Sequence, residues 1–208
     1  YVARSAAEMR KTFGRYVTDE VVASLLESPQ GLTLGGERRK VTIMLSDLRG
    51  FSAISERLPP EKVVTILNLY LGVMSDIITR YNGTINEFIG DGIFVMFGAP
   101  IYREDDSQRA IACAVAMQAA MEEVNQQNRQ LGLPPIEMGI GINTGEVVVG
   151  NIGSQKRAKY TVIGNHVNLA ARIESYSVGR QILISQDTFN DAGTEIVQVT
   201  GQMQVEPK

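Results

Sequence analysis

Residues 83–97, reading GTINEFIGDGIFVMF, restrict the fold of this chain more than any other stretch. Two short apolar segments flank Gly90-Asp91-Gly92, and an aspartate between glycines is a strong hairpin signal, because such turns need residues that accept positive φ. A long helical pattern lies on each side. Residues 61–80 repeat Val64, Leu67, Leu71, Met74 and Ile78 at helical spacing. Residues 105–131 predict a second helix, closed by Gly132 and Pro134-Pro135. Upstream, residues 40–46 (KVTIMLS) predict a buried strand ending at Asp47. Downstream, residues 136–142 and 146–149 predict strands around a turn at Asn143-Thr144-Gly145. The order strand, helix, hairpin, helix, strand predicts an α+β chain: a ferredoxin-like split βαββαβ antiparallel sheet with helices on one face. Residues 160–163 predict a further strand, residues 165–176 a helix, and residues 181–184 and 196–199 extra C-terminal strands.

The chain has 208 residues, 44% of them hydrophobic, enough for one core. We assign that core to a domain over residues 37–208. Residues 1–36 read as a helical lead-in from an upstream module, with Thr18 as an N-cap and Val21, Val22, Leu25 and Leu26 on one helix face. A net charge of -3 excludes the electrostatic footprint of a nucleic-acid binder. Cys113 is the one cysteine, so no internal disulfide forms, and its apolar neighbours make it a small buried helix residue. No stretch reads as the roughly 20 apolar residues of a membrane span. A start at Tyr1 and a stop at Lys208 read as a piece of something longer.

Chemistry begins at Asp47. The residues after it, Leu48-Arg49-Gly50-Phe51-Ser52, include a glycine that permits a tight turn, with backbone N–H groups to hold a phosphate. Asp91 alone is an ordinary turn residue. The two together say more, because in a split βαββαβ sheet the first strand and the hairpin are neighbours. Two carboxylates at adjacent strand ends suit magnesium ions of the kind that clamp triphosphates. Asn168 and Arg172 stand four apart, on one face of a helix. His166, the only histidine, precedes that helix and reads as ordinary structure.

Four segments carry a resemblance: Ser46 to Ser52 (SDLRGFS), Glu87 to Gly92 (EFIGDG), Gly139 to Gly150 (GIGINTGEVVVG) and Gly164 to Arg172 (GNHVNLAAR). In order and spacing they resemble the signature blocks of class III adenylyl and guanylyl cyclases. Phe13-Gly14-Arg15-Tyr16-Val17 is similar to the segment that joins such domains to upstream sensory modules. The resemblance implies two divalent metal ions (Mg2+ or Mn2+) on Asp47, Asp91 and the Leu48 carbonyl. It further implies substrate contacts at Phe51 and Ser52, a ribose contact at Asn168, and charge stabilisation on the reacting phosphate by Arg172. Lys208 matches a late lysine that holds the terminal phosphates. The resemblance also implies a homodimer in a cytoplasmic catalytic domain, with metals from one subunit and base recognition from the other. Glu87 and Asp91 are only four residues apart across a turn, a spacing too short for one nucleotide to span from base to triphosphate.

Two positions bear on the purine. Adenosine-specific members carry Lys where this chain has Glu87, and Asp where it has Thr161. A carboxylate accepts from both guanine N1–H and the 2-amino group, and a hydroxyl donates to O6, so the pair favours GTP over ATP. Some members carry an arginine where this chain has Glu146. Two rival readings lack their marks here. A catalytically dead cyclase-like module would lack a metal aspartate or the arginine, and a diguanylate cyclase would show a Gly-Gly-Asp/Glu-Glu-Phe hairpin.

Overall fold

The computed structural model describes residues 33–193 and 195–204. The expected N-terminal helices, the Phe13–Val17 segment and Lys208 lie outside the described residues. Six strands form one sheet: β1 (Gly35–Leu48), β2 (Thr84–Ile89), β3 (Gly92–Phe97), β4 (Met138–Ser154), β5 (Arg157–Ile163) and β6 (Ile182–Ile184). The order is β2-β3-β1-β4-β5, with β6 also on β4. All pairs are antiparallel except β4 with β6. The first four strands reproduce the split βαββαβ order expected from the sequence.

The alternation of side chains along each strand sorts the core into two layers. On one face Met44 and Leu48 of β1, Ile93, Val95 and Phe97 of β3, and Met138, Ile140 and Ile142 of β4 pack against α2 (Pro60–Arg80) and α3 (Asp106–Gln130). Helix α2 contributes Ile66, Tyr70, Met74, Ile77 and Ile78, all buried. By length and composition alone α2 is long and apolar enough to cross a membrane, but here its apolar face is built into the sheet core. The other face carries Val41 and Ile43 of β1, Phe94 and Met96 of β3, Val147 and Val149 of β4, and Val162 of β5.

That second face also receives α4 (Asn165–Tyr176), through Ala170 and Val167. The expectation of helices on one face therefore holds for the two long helices, while α4 packs on the opposite side. The cause lies in the third signature segment. Gly139, Gly141 and Gly145 alternate along β4 on one face, and a side chain there would collide with Ser177 and Arg49, with Glu174, and with the His166 ring. Glycine leaves a groove, and α4 fills it.

Two elements differ from the sequence expectation. Residues 143–145 are not a turn but the middle of β4, paired with β1 from Ile43 to Val41. The polar side chains that suggested a turn have partners on both faces of the sheet. Asn143 Nδ2 donates to the His166 carbonyl at 2.9 Å, and the Thr144 hydroxyl is 2.8 Å from that of Thr42. Residues 196–199 form no strand; they follow α5 (Gln186–Ala192) as a turn and irregular chain, with Ile196 and Val199 exposed.

Candidate active site

Asp47 lies one residue beyond Ser46, which pairs with Ile93 of β3. The hairpin tip therefore comes directly beside it. Gly92 is obligatory at this point: a Cβ there would sit 2.8 Å from the Ser46 carbonyl and 3.5 Å from Asp47 Oδ1. The Leu48 N–H donates to Asp91 Oδ2 at 3.2 Å, which turns that carboxylate back toward β1. Burial, then the charge of neighbouring Asp91, push the Asp47 carboxyl up to about 6. Two carboxylates held this close favour a cation between them. Among the described residues no three His, Cys, Asp or Glu side chains gather to hold a metal by themselves. The donor set is thus two carboxylates and backbone oxygen, hard ligands that fit Mg2+ or Mn2+ whose remaining positions go to water or phosphate.

The turn after Asp47 splits its residues. The Leu48 and Phe51 side chains are buried in the helix-side core, so only their backbone groups remain for a metal or phosphate. Ser52 is exposed on the short helix α1 (Phe51–Ser55). Arg49 turns to α4 instead. Its Nη2 donates to the Glu174 carbonyl at 2.9 Å and to Ser177 Oγ at 2.7 Å, and it pairs with the Glu174 carboxylate.

Helix α4 has two working faces. Ala170 and Glu174, four apart, turn toward the sheet, with Ala170 fully buried and Glu174 on Arg49. Asn168 and Arg172 are exposed. Each residue turns the helix by about 100°, so Arg172 lies roughly 200° from both Ala170 and Glu174. The pair projects away from its own sheet and from the Asp47–Asp91 face beneath. His166 is structural, as expected: its Nδ1 is 3.1 Å from Asn143 Nδ2 and its ring covers Gly145.

Glu87 owes its direction to a β-bulge. The register of β2 on β3 shifts between Ile85, opposite Val95, and Glu87, opposite Phe94. Without the shift Glu87 would follow Ile85 onto the helix side; with it, Glu87 joins Phe94 on the face that carries α4. One pair of long side chains links the two edges of the sheet. Although β2 and β5 are at opposite ends of the strand order, Lys159 Nζ lies 2.8 Å from Glu87 Oε2. Thr161 stands two residues further along β5, on the same strand face as Lys159. Within the chain the Glu87 carboxylate is not buried. Its side chain is 46% exposed and ion-paired. Glu146, the departure noted above, pairs with Arg38 at 2.8 Å on an open surface and contributes little.

The structure thus brings together Asp47, Leu48 and Asp91, and separately Glu87 and the β5 edge of Thr161, while Asn168 and Arg172 face outward. Sequence reasoning missed Arg49, Glu174 and Lys159. Arg49 lay inside a quoted segment, but nothing in spacing links it to a helix 125 residues away.

Comparison with known proteins follows the same lines. The family described as "Adenylate and Guanylate cyclase catalytic domain" matches residues 36–208. The crystal structure of the guanylyl cyclase Cya2 is 60% identical, with a TM-score of 0.82 over 84% of this chain and 88% of that one. That of the adenylyl cyclase CyaB from P. aeruginosa is 41% identical, with a TM-score of 0.78 over 83% and 90%. Adenylate cyclase 1 of Rhizobium meliloti is 36% identical over 84% of this chain, but that match is only 26% of its own length. The chain therefore spans about a quarter to a third of the curated relatives it matches.

Proposed function

The chain belongs to the adenylate and guanylate cyclase catalytic-domain family, and on that premise we propose that it is a guanylyl cyclase. It converts GTP to cyclic GMP and pyrophosphate at two sites, each shared between two copies of the chain. One observation carries the shared site: the metal-type pair Asp47–Asp91 and the phosphate-type pair Asn168–Arg172 occur in one chain but face away from each other. A symmetric pairing of two chains brings each half opposite its complement and closes two complete sites.

Asp47, Asp91 and the Leu48 carbonyl are the ligands for two divalent cations, Mg2+ or Mn2+, which would supply the charge that acidifies the ribose 3′-hydroxyl and neutralises the phosphates. The 3′-oxygen forms a bond to the α-phosphorus, the bond to the pyrophosphate oxygen breaks, and the hydroxyl proton leaves to water. In-line positioning carries most of this chemistry. Asn168 from the partner orients the ribose, and Arg172 beside it donates to the charge that builds on the α-phosphate. Neither residue needs to change protonation state. Glu87 accepts from guanine N1–H and the 2-amino group, and Thr161 donates to O6. The outer phosphates meet the backbone around Phe51 and Ser52, and the resemblance to the family gives Lys208 as a cation for them.

A second reading, ATP to cyclic AMP, draws support from one contact. Lys159 stands on Glu87, and an ammonium there offers a donor to adenine N1. The Lys159→Ala variant separates the two: a guanine site keeps its preference, whereas an adenine site that depends on Lys159 loses activity with ATP. The test of the shared site is mixing. Chains carrying Asp47→Ala and chains carrying Arg172→Ala are each inactive alone, and exchange between them rebuilds one intact site per mixed dimer. Absence of recovery after verified exchange contradicts the arrangement.

A further inference from the structure

We infer that Arg49 is a positioning residue that fixes α4, and with it Asn168 and Arg172, to the strand end that carries Asp47; the inference rests on the shared-site reading above. Arg49 follows Leu48 at the end of β1, where its own N–H donates to the Glu137 carbonyl at 2.7 Å. From that fixed point the guanidinium crosses β4 at Gly139, the position where any side chain would collide with it. It then reaches the last turn of α4. Nη2 donates to the Glu174 carbonyl at 2.9 Å and to Ser177 Oγ at 2.7 Å, and pairs with the Glu174 carboxylate.

Those acceptors belong together. Ser177 is the residue that caps α4, and its hydroxyl donates back to the Glu174 carbonyl at 2.7 Å. Helix carbonyls in a last turn lack intrahelical donors and carry the negative end of the helix dipole, so a cation is favoured there. The ion pair is half enclosed, with 26% of the Arg49 and 14% of the Glu174 side chain exposed, which shields it from the screening that weakens surface pairs. The carbonyl, hydroxyl and carboxylate all meet Nη2, at the far tip of the guanidinium; a lysine stem, one atom shorter, does not carry its ammonium to that point.

The consequence is directional. Asn168 and Arg172 face outward from the helix that Arg49 anchors, so in a shared site they serve the partner's metals. Arg49 stands beside one site and sets the geometry of the other. A displacement of about 1 Å in such groups costs on the order of a hundredfold in rate. Because Arg172 acts on charge that builds in the transition state, loosening the anchor lowers kcat and leaves KM for the nucleotide nearly unchanged.

Mixed dimers test this. In the pairing of an Asp47→Ala chain with an Arg172→Ala chain, the one active site takes its metals from the Arg172→Ala chain and its α4 from the Asp47→Ala chain. Arg49→Lys is added to one chain or the other, with dimer content and melting temperature measured for each. We expect kcat to fall about tenfold or more when Arg49→Lys sits in the Asp47→Ala chain, behind the active helix. We expect less than about a threefold change when it sits in the other. Glu174→Gln in the same two placements should repeat the pattern. Equal losses in both placements, or a loss only beside the active metals, overturn the proposal. Failure of both variants to fold also counts against it, by making Arg49 a residue of the fold alone. An inactive parent mixture contradicts the shared site instead.

Discussion

Asp47 near the end of β1 and Asp91 in the turn that leads into β3 flank two hydrogen-bonded strands, whereas Glu87 and Thr161 stand on edge strands at opposite ends of the sheet order. The first pair is set by local chain geometry: one register, one glycine and one backbone N–H on Asp91. The second depends on a bulge in β2 and on a single ion pair, Lys159 with Glu87, between the two edges. On the proposed reading, catalytic charge thus sits where two central strands are paired, and base selection at the edges of the sheet. Changes at the first site should abolish turnover, while changes at the second should redirect it.

The largest expected effect is at the carboxylates. Asp47→Ala or Asp91→Ala should lower cyclase activity by more than about a hundredfold while circular dichroism and melting remain near those of the parent. Activity within tenfold of the parent in either variant would remove the carboxylate pair from the chemistry. Next comes recovery by mixing. Random exchange of equal amounts of Asp47→Ala and Arg172→Ala chains gives half mixed dimers with one intact site each, so about a quarter of parent activity should return.

A smaller effect sharpens the contrast at the base edge. Glu87→Lys, with Thr161→Asp, should move the preference from GTP toward ATP without abolishing turnover. The expected shift is roughly 5- to 150-fold, from about 1–3 kcal/mol for a polar group left without its partner. Loss of both activities together would mean that Glu87 supports the fold or the metals rather than the base. The smallest effect concerns pH in the metal-free chain. Burial and Asp91 hold the Asp47 carboxyl above its ordinary value, at about 6, so the folded state binds more protons than the unfolded one between about pH 4 and 6. Stability should fall as pH rises through that window, and Asp47→Asn should flatten the slope, as read by melting temperature. Divalent metal should oppose the fall. An unchanged slope in Asp47→Asn would place the coupling elsewhere, at the other carboxyls raised by burial, Glu174 and Asp106.

How much of this was legible in the sequence follows the same division. The hairpin, the two long helices and the order of the first four strands were readable because glycines, apolar periodicity and β-branched runs act locally. The Asp47–Asp91 pairing followed from that order. The course of β4 through Asn143-Thr144-Gly145 was not readable, because the partners that hold those polar residues in a strand, Thr42 and His166, are distant in sequence. Nor was the seat of α4, for which Gly139 and Gly141, read as ordinary strand residues, and Gly145, read as part of a turn, make room. The Glu87–Lys159 contact and the Arg49 anchor are tertiary meetings with no sequence period behind them. Residues 196–199 have the composition of a strand but no neighbour to pair with among the described residues.

The central claim is that this site selects guanine, and internal competition tests it most directly. GTP and ATP at equal concentration are given to the unmodified dimer with Mg2+ or Mn2+, and the initial rates of cyclic GMP and cyclic AMP formation are compared. Their ratio equals the ratio of kcat/KM values whatever the saturation. The account predicts that cyclic GMP leads by at least about fivefold. Cyclic AMP formed at an equal or faster rate would contradict it.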